Sequence, residues 1–213
     1  LAILNSRLTA PRSARKARGF GHQRRLEILA AAERIFVAYG YDGATIRKIA
    51  DEVGVSPTAL YMHFADKHAM LMEIGGNAAD RLAAEASAIA AQAADPVERL
   101  RGILATHIRF ALKNPTAYRI VFCEGARDPD RADLARDMSR GYYKVLSGVT
   151  AELETGGRLL NGKAQVIAQV LFMACHGLVS QIILNPGADF APASALSIAM
   201  LDGLVRGHVG PKT

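Results

Sequence analysis

Nowhere in this chain does polarity alternate with period two for long enough to make a strand, whereas apolar residues recur at three- and four-residue spacing almost throughout. That pattern predicts an all-α fold. Punctuation divides the helical signal into about nine segments. The first runs over about 24–39 on Leu26, Leu29, Ala30, Ile35 and Phe36, and Gly40 stands where a helix stops. Thr45 precedes Ile46, Ile49, Ala50 and Val53 as an N-cap, and Gly54 ends that short helix. Ser56 caps the next, with Pro57 at the first helical position, where its missing N–H costs nothing. This third helix carries Leu60, Tyr61 and Phe64 and is expected to stop near Ala65. Asp66 opens a longer connector through Leu71, Ile74 and Leu82 to about residue 93, past Gly75-Gly76. Asp95-Pro96 starts another helix, which ends at Asn114-Pro115. Further segments are expected at 116–124, 131–154, 163–184 and 193–209, parted by Gly156-Gly157, Asn161-Gly162 and Asn185-Pro186-Gly187.

Composition removes several classes of protein. With 213 residues, 50% of them hydrophobic and 22% charged, the chain can bury a core without staples and is neither a disordered segment nor a collagen-like repeat. Cys123 and Cys175 have no metal-ligand spacing, so no metal site and no cofactor is expected, and both read as inert buried thiols of a reducing cytosol. The formal charge of +6 is concentrated at one end. Arg7, Arg12, Arg15, Lys16, Arg18, Arg24 and Arg25 fall among the first 25 residues with no acid between them, which points to a polyanionic partner. An Arg-rich, acid-poor leader also resembles a mitochondrial presequence, but a DNA-reaching arm in the cytoplasm is the reading adopted. Residues 1–22 mix Ser, Pro, Gly and Arg without a period and are expected to be a flexible basic tail. The longest apolar stretch, around 166–178, is broken by Gln169 and His176, and no membrane span is expected.

Three short helices within about 45 residues, the last two joined by Val53-Gly54-Val55-Ser56, have the spacing of a helix-turn-helix. Gly54 permits the left-handed turn, Ile49 and Leu60 can pack the helices together, and Ser56 aims a helix start outward. Such a helix fits the major groove of B-DNA with its first turn at the base edges, which makes Ser56, Pro57, Thr58 and Ala59 the candidate reading residues. Ile28, Ala31, Ala32, Phe36, Gly40, Tyr41, Thr45, Ile49, Ala50, Val53-Gly54-Val55-Ser56, Leu60-Tyr61, His63-Phe64, Lys67 and Leu71 together resemble the TetR (tetracycline-repressor-like) family of bacterial transcriptional regulators. The chain departs from the family's pattern at Val53, commonly Ala, and at Thr58-Ala59, where a Gly-containing pair is frequent. The resemblance implies that Thr45 and Arg47 hold phosphates, that Tyr61 and His63 approach the DNA backbone, and that Lys67 meets a phosphate at the start of the connector. Tyr61 and Phe64 also admit a plain core role, and Arg34 and Lys48 that of solvated charges. The basic tail either reaches a minor groove, adds nonspecific attraction, or makes no specific contact.

The expected division is a tail over 1–22, a DNA-binding domain over 23–71 and a ligand-binding and dimerisation domain over 72–213. Segments 163–184 and 193–209 are apolar on nearly all sides, so they are expected to pack both on their own core and on a second copy in a homodimer. His176-Gly177 is similar to a feature of one subgroup of the family's C-terminal domains. A small, largely apolar effector is expected among His107, Phe110, Tyr118, Phe122, Tyr142, Met173 and His176, since a ligand site is mostly apolar with a few polar groups. The plain alternative for each is a core residue. No GxGxxG, P-loop, HExxH or nucleophile elbow occurs, so catalysis is not expected. The function expected is that of a transcriptional regulator, most simply a repressor released from a palindromic operator by the effector. The rival is a ligand-blind architectural DNA-binding protein.

Overall fold

A computed structural model of the chain describes residues 20–92, 94–119, 122 and 129–211. Most of the basic tail and Cys123 lie outside the described residues. Within them nine helices follow one another: α1 (Phe20–Gly43), α2 (Ile46–Val53), α3 (Pro57–Tyr61), α4 (Lys67–Ala90), α5 (Pro96–Lys113), α6 (Pro115–Tyr118), α7 (Pro129–Thr155), α8 (Ala164–Leu184) and α9 (Ala193–His208). Extended structure among them is limited to an isolated bridge between Leu159 and Val209.

The helix starts sit where the polar caps put them. Thr45 Oγ1 accepts from Lys48 N at 3.2 Å, Ser56 Oγ from Ala59 N at 3.1 Å, and Asp66 Oδ1 from Ala69 N at 2.7 Å. Asp95 Oδ1 accepts from Val97 N at 2.8 Å. Each such cap is worth about 1 kcal/mol because it satisfies an otherwise orphaned N–H. Gly40 takes φ 68° and interrupts α1, which then makes one further turn. Gly54 takes φ 75°; its N–H and that of Val55 return to Asp51 O and Ala50 O, closing α2 in a Schellman turn that only glycine adopts without strain.

Three expectations are corrected. The third helix ends at Tyr61 rather than near Ala65, because the backbone turns at Met62 and His63 and Phe64 reaches the core from beyond the helix. The sixth begins at Pro115 rather than Thr116, as an α-helical turn to Tyr118 that Arg119 and Phe122 continue in π-helical form. The third correction concerns α8. It holds no Asp, Glu, Lys or Arg, and its 21 residues, with a mean hydropathy of 1.8 in the most apolar window, are long and apolar enough to cross a membrane. Gln169 and His176 are too few to lower the average.

One apolar core runs from end to end. Ile28, Phe36, Ile49, Leu60, Phe64 and Leu71 fill the space between α1 to α3 and the start of α4. The same cluster continues through Ile74, Ala78 and Leu82 into the body, where α4 packs on α5 and α7, and α5 and α7 pack on α8. α5 is the innermost helix, buried at Leu100, Ile103, Leu104, Thr106, His107, Ile108, Phe110 and Ala111. Two ion pairs pin the far end of the body: Arg158 to Asp95 at 2.6 Å and Arg99 to Glu152 at 2.5 Å.

Candidate nucleic-acid interface and buried polar cluster

α2 and α3 present polar side chains outward from a floor made by Ile49, Ala50 and Leu60. Thr45, Arg47, Ser56, Pro57, Thr58 and Tyr61 are exposed, and Ala59 and His63 half-buried. The cap bonds use the acceptor side of the Thr45 and Ser56 hydroxyls, so the O–H of each is left to donate outward. Tyr61 is 55% exposed, which removes its core alternative, while Phe64 is 2% exposed and takes it. Sequence reasoning missed Met62, which is 84% exposed beside Tyr61.

Three cations of this region have partners within the chain, Lys48 and Arg34 at the exposed surface and Lys67 half-buried. Lys48 Nζ donates to Gly43 O at 2.9 Å and lies over the Tyr39 ring, and Arg34 Nε pairs with Glu52 at 2.8 Å. Lys67 Nζ donates to Tyr41 O at 2.8 Å and to Ala44 O at 3.2 Å, and stands 4.3 Å from the centre of the Tyr41 ring. Two of its three N–H groups therefore point at the chain's own carbonyls rather than outward. Arg47 makes no ion pair among the described residues.

In the body, a chain of polar atoms threads an aromatic core. His107 Nε2 lies 2.9 Å from Tyr118 Oη, which lies 2.7 Å from His176 Nδ1, and His176 Nε2 lies 3.4 Å from Ser180 Oγ. The His107 ring is 1% exposed and meets Tyr142 and Phe172 edge-on at 5.0 and 5.5 Å. Phe122 lies against Tyr118 at 4.7 Å. Burial, together with His176 nearby, pushes His107 down to about 3, and burial lowers His176 as well, so both imidazoles are neutral at physiological pH. His107 Nδ1 is buried without a hydrogen-bond partner among the described residues.

The expected effector residues thus divide. His107, Tyr118, Phe122, Tyr142 and His176 come together from α5, α6, α7, α8 and the segment after α6. Phe110 is buried in the general core outside these ring contacts. Met173 is 65% exposed on the outer face of α8, and Phe172 occupies the place expected for it. One residue turns a helix by about 100°, and Phe172, four before His176, shares its face. Cys175 is buried, and desolvation pushes its thiol up to about 12, which fits the inert role expected of it.

A helix-turn-helix head on a helical body with a buried aromatic cluster defines a DNA-binding regulator architecture. The chain matches the bacterial regulatory proteins of the tetR family over residues 28–74, and the tetracyclin repressor-like C-terminal domain over 100–204. It belongs to the TetR family. Among its relatives, the HTH-type transcriptional repressor Rv1474c of Mycobacterium tuberculosis is 42% identical over 64 residues, 30% of this chain and 34% of that protein. The HTH-type transcriptional activator FasR of Mycolicibacterium smegmatis is 31% identical over 100 residues, 47% of this chain and 46% of that protein. The matches thus span about a third to a half of these relatives. The structure of the transcriptional regulator FadR from Bacillus subtilis in complex with stearoyl-CoA superposes with a TM-score of 0.75 at 20% identity, covering 85% of this chain and 98% of that one.

Proposed function

We propose that this chain is a sequence-specific DNA-binding transcriptional regulator of the cytoplasm, a homodimer that represses from a roughly palindromic operator and is released by a small effector. The observation that carries the reading is the head itself, with polar first-turn residues exposed on a rigid apolar floor. Repressor names among the relatives favour repression. Residues 23–71 act as the DNA-binding domain and 72–213 as the ligand-binding and dimerisation domain, with the basic stretch of 1–22 adding attraction to phosphates. Thr45 and Arg47 hold phosphates, Ser56, Pro57, Thr58 and Ala59 face base edges, and Tyr61 and His63 lie along the backbone.

The effector binds at the His107–Tyr118–His176 cluster and is uncharged at the end that reaches it. Two neutral imidazoles and a phenol among Phe122, Tyr142 and Phe172 offer hydrogen bonds but no counter-charge for a carboxylate. FadR binds an acyl thioester of coenzyme A, and a hydrocarbon chain at this cluster would leave His107 Nδ1 unpaired. A polar group would pair it, donating to Nδ1 or accepting from it according to the tautomer of the ring.

Dimerisation rests on the outer faces of α8 and α9, where Val166, Val170, Met173, Leu184 and Ile198 are exposed. A second copy covering them accounts for the hydropathy of α8 without a bilayer. Selection from a random duplex library tests the function: enrichment of an inverted repeat with half-sites about one DNA turn apart, or a modest multiple of it, is expected. Recovery of unenriched sequence would favour the ligand-blind architectural reading.

A further inference from the structure

The first two turns of α4 are tied to α1, to the turn between α1 and α2 and to the segment after α3 by two cations, neither of which is at the exposed surface of α3. Lys67, at the first position of α4, reaches back to the turn between α1 and α2, donating to Tyr41 O and Ala44 O across the face of the Tyr41 ring. That ring in turn stacks on Phe36 of α1 at 5.7 Å. From the other side, Arg25 of α1 sends Nε to Glu73 Oε1 at 3.0 Å and a second N–H to Glu73 Oε2. A third N–H of Arg25 donates to His63 O just after α3, and its guanidinium lies 4.0 Å from the centre of the Phe64 ring. One guanidinium thus joins α1, α4 and the end of α3. The planar fork makes that possible, since lysine has no two parallel N–H groups to engage a carboxylate while a third reaches a carbonyl.

We propose that Lys67 and the Arg25–Glu73 pair are positioning residues for operator recognition: they fix the angle of α3 against α4, and Lys67 serves the protein's own carbonyls instead of an operator phosphate. This goes beyond the regulator reading and departs from the role that family resemblance implies for Lys67. Both clamps end before Gly75-Gly76, and α4 also packs on α5 and α7. The clamps tie the head to the first two turns of α4, so a tilt of α4 set by the rest of the molecule is passed to α3.

Binding titrations over a salt series separate the possibilities, using the full-length protein with its selected duplex and with a scrambled duplex of equal length. A phosphate contact releases counterions from any duplex, so losing one weakens both and lowers the log–log salt slope by about 0.9. A positioning residue acts only where α3 must meet particular bases. Lys67→Ala is expected to weaken the selected duplex tenfold or more while leaving its salt slope and the scrambled duplex unchanged. A slope reduced by about 0.9, with both duplexes weakened, would overturn the proposal. So would unchanged affinity in a variant that merely melts at lower temperature.

Glu73→Gln guards against a Lys67 variant that fails to fold, and its sign is diagnostic. Removing a negative charge favours DNA on electrostatic grounds alone. The clamp requires instead that the selected duplex weaken while the scrambled one holds or tightens. Equal tightening of both would contradict it. Should the wild type prefer no duplex, the regulator reading fails and the positioning role with it, while the salt slope of nonspecific binding still decides whether Lys67 meets a phosphate: a drop in the variant shows that it does, and an unchanged slope that it serves the protein's own carbonyls.

Discussion

His107 behaves very differently in the folded protein from an imidazole in water. Its pKa falls from 6.5 unfolded to about 3 folded, so the neutral ring is favoured in the folded state, and the unfolded chain binds the extra proton. The stabilisation is fully present above pH 6.5 and is lost as pH falls from 6.5 towards 3. At about 1.4 kcal/mol per pH unit, acidification from pH 8 to pH 5 should remove about 2 kcal/mol through this group, with His176 acting in the same direction. Thermal unfolding across that range should show the loss in the wild type and a flatter profile in His107→Phe. Equal pH dependence in both would place the titration elsewhere. The residue types of this cluster were legible in the sequence, because His and Tyr in an apolar helical context are conspicuous. Which of two neighbours faces inward was not, and Phe172 rather than Met173 joins the cluster. A helix apolar on all sides carries no phase to read.

At the scale of elements, the starts were legible and several ends were not. Thr45, Ser56, Asp66 and Asp95 each announce a helix because a side-chain oxygen must meet an orphaned N–H, and that need is local. α3 ends without a glycine or proline, turned by the tertiary docking of Phe64, so its length could not be read from the chain. The internal partners of two cations were illegible for a related reason: Lys67 and Arg25 reach carbonyls 26 and 38 residues away only once the chain has folded. α8 makes its own prediction. Glutamate at Met173 or Ile198 touches little of its own core, so either variant should keep its helical content and sediment as a monomer at micromolar concentration. A persistent dimer in both variants, or a wild type that partitions onto lipid vesicles, would contradict a protein partner for that face.

The whole molecule joins a reading head to a helical body through α4, through the packing of α1 on α6, and through one continuous core, the route by which an effector proposed for the body would influence DNA binding. An effector that favours the state with misplaced recognition helices weakens the operator complex by its differential affinity for that state; about 1.4 kcal/mol is a factor of ten. The all-α architecture and the helix-turn-helix followed from periodicity and caps. The coupling did not, since it depends on contacts between residues far apart in sequence. The central claim is that α3 reads sequence, and competition binding at one fixed salt concentration tests it most directly. The selected palindrome and a scrambled duplex of the same length would compete for the wild-type dimer. One dimer per duplex, with the palindrome bound about 10³-fold or more tightly, is the predicted result. Equal affinity for the two would contradict it.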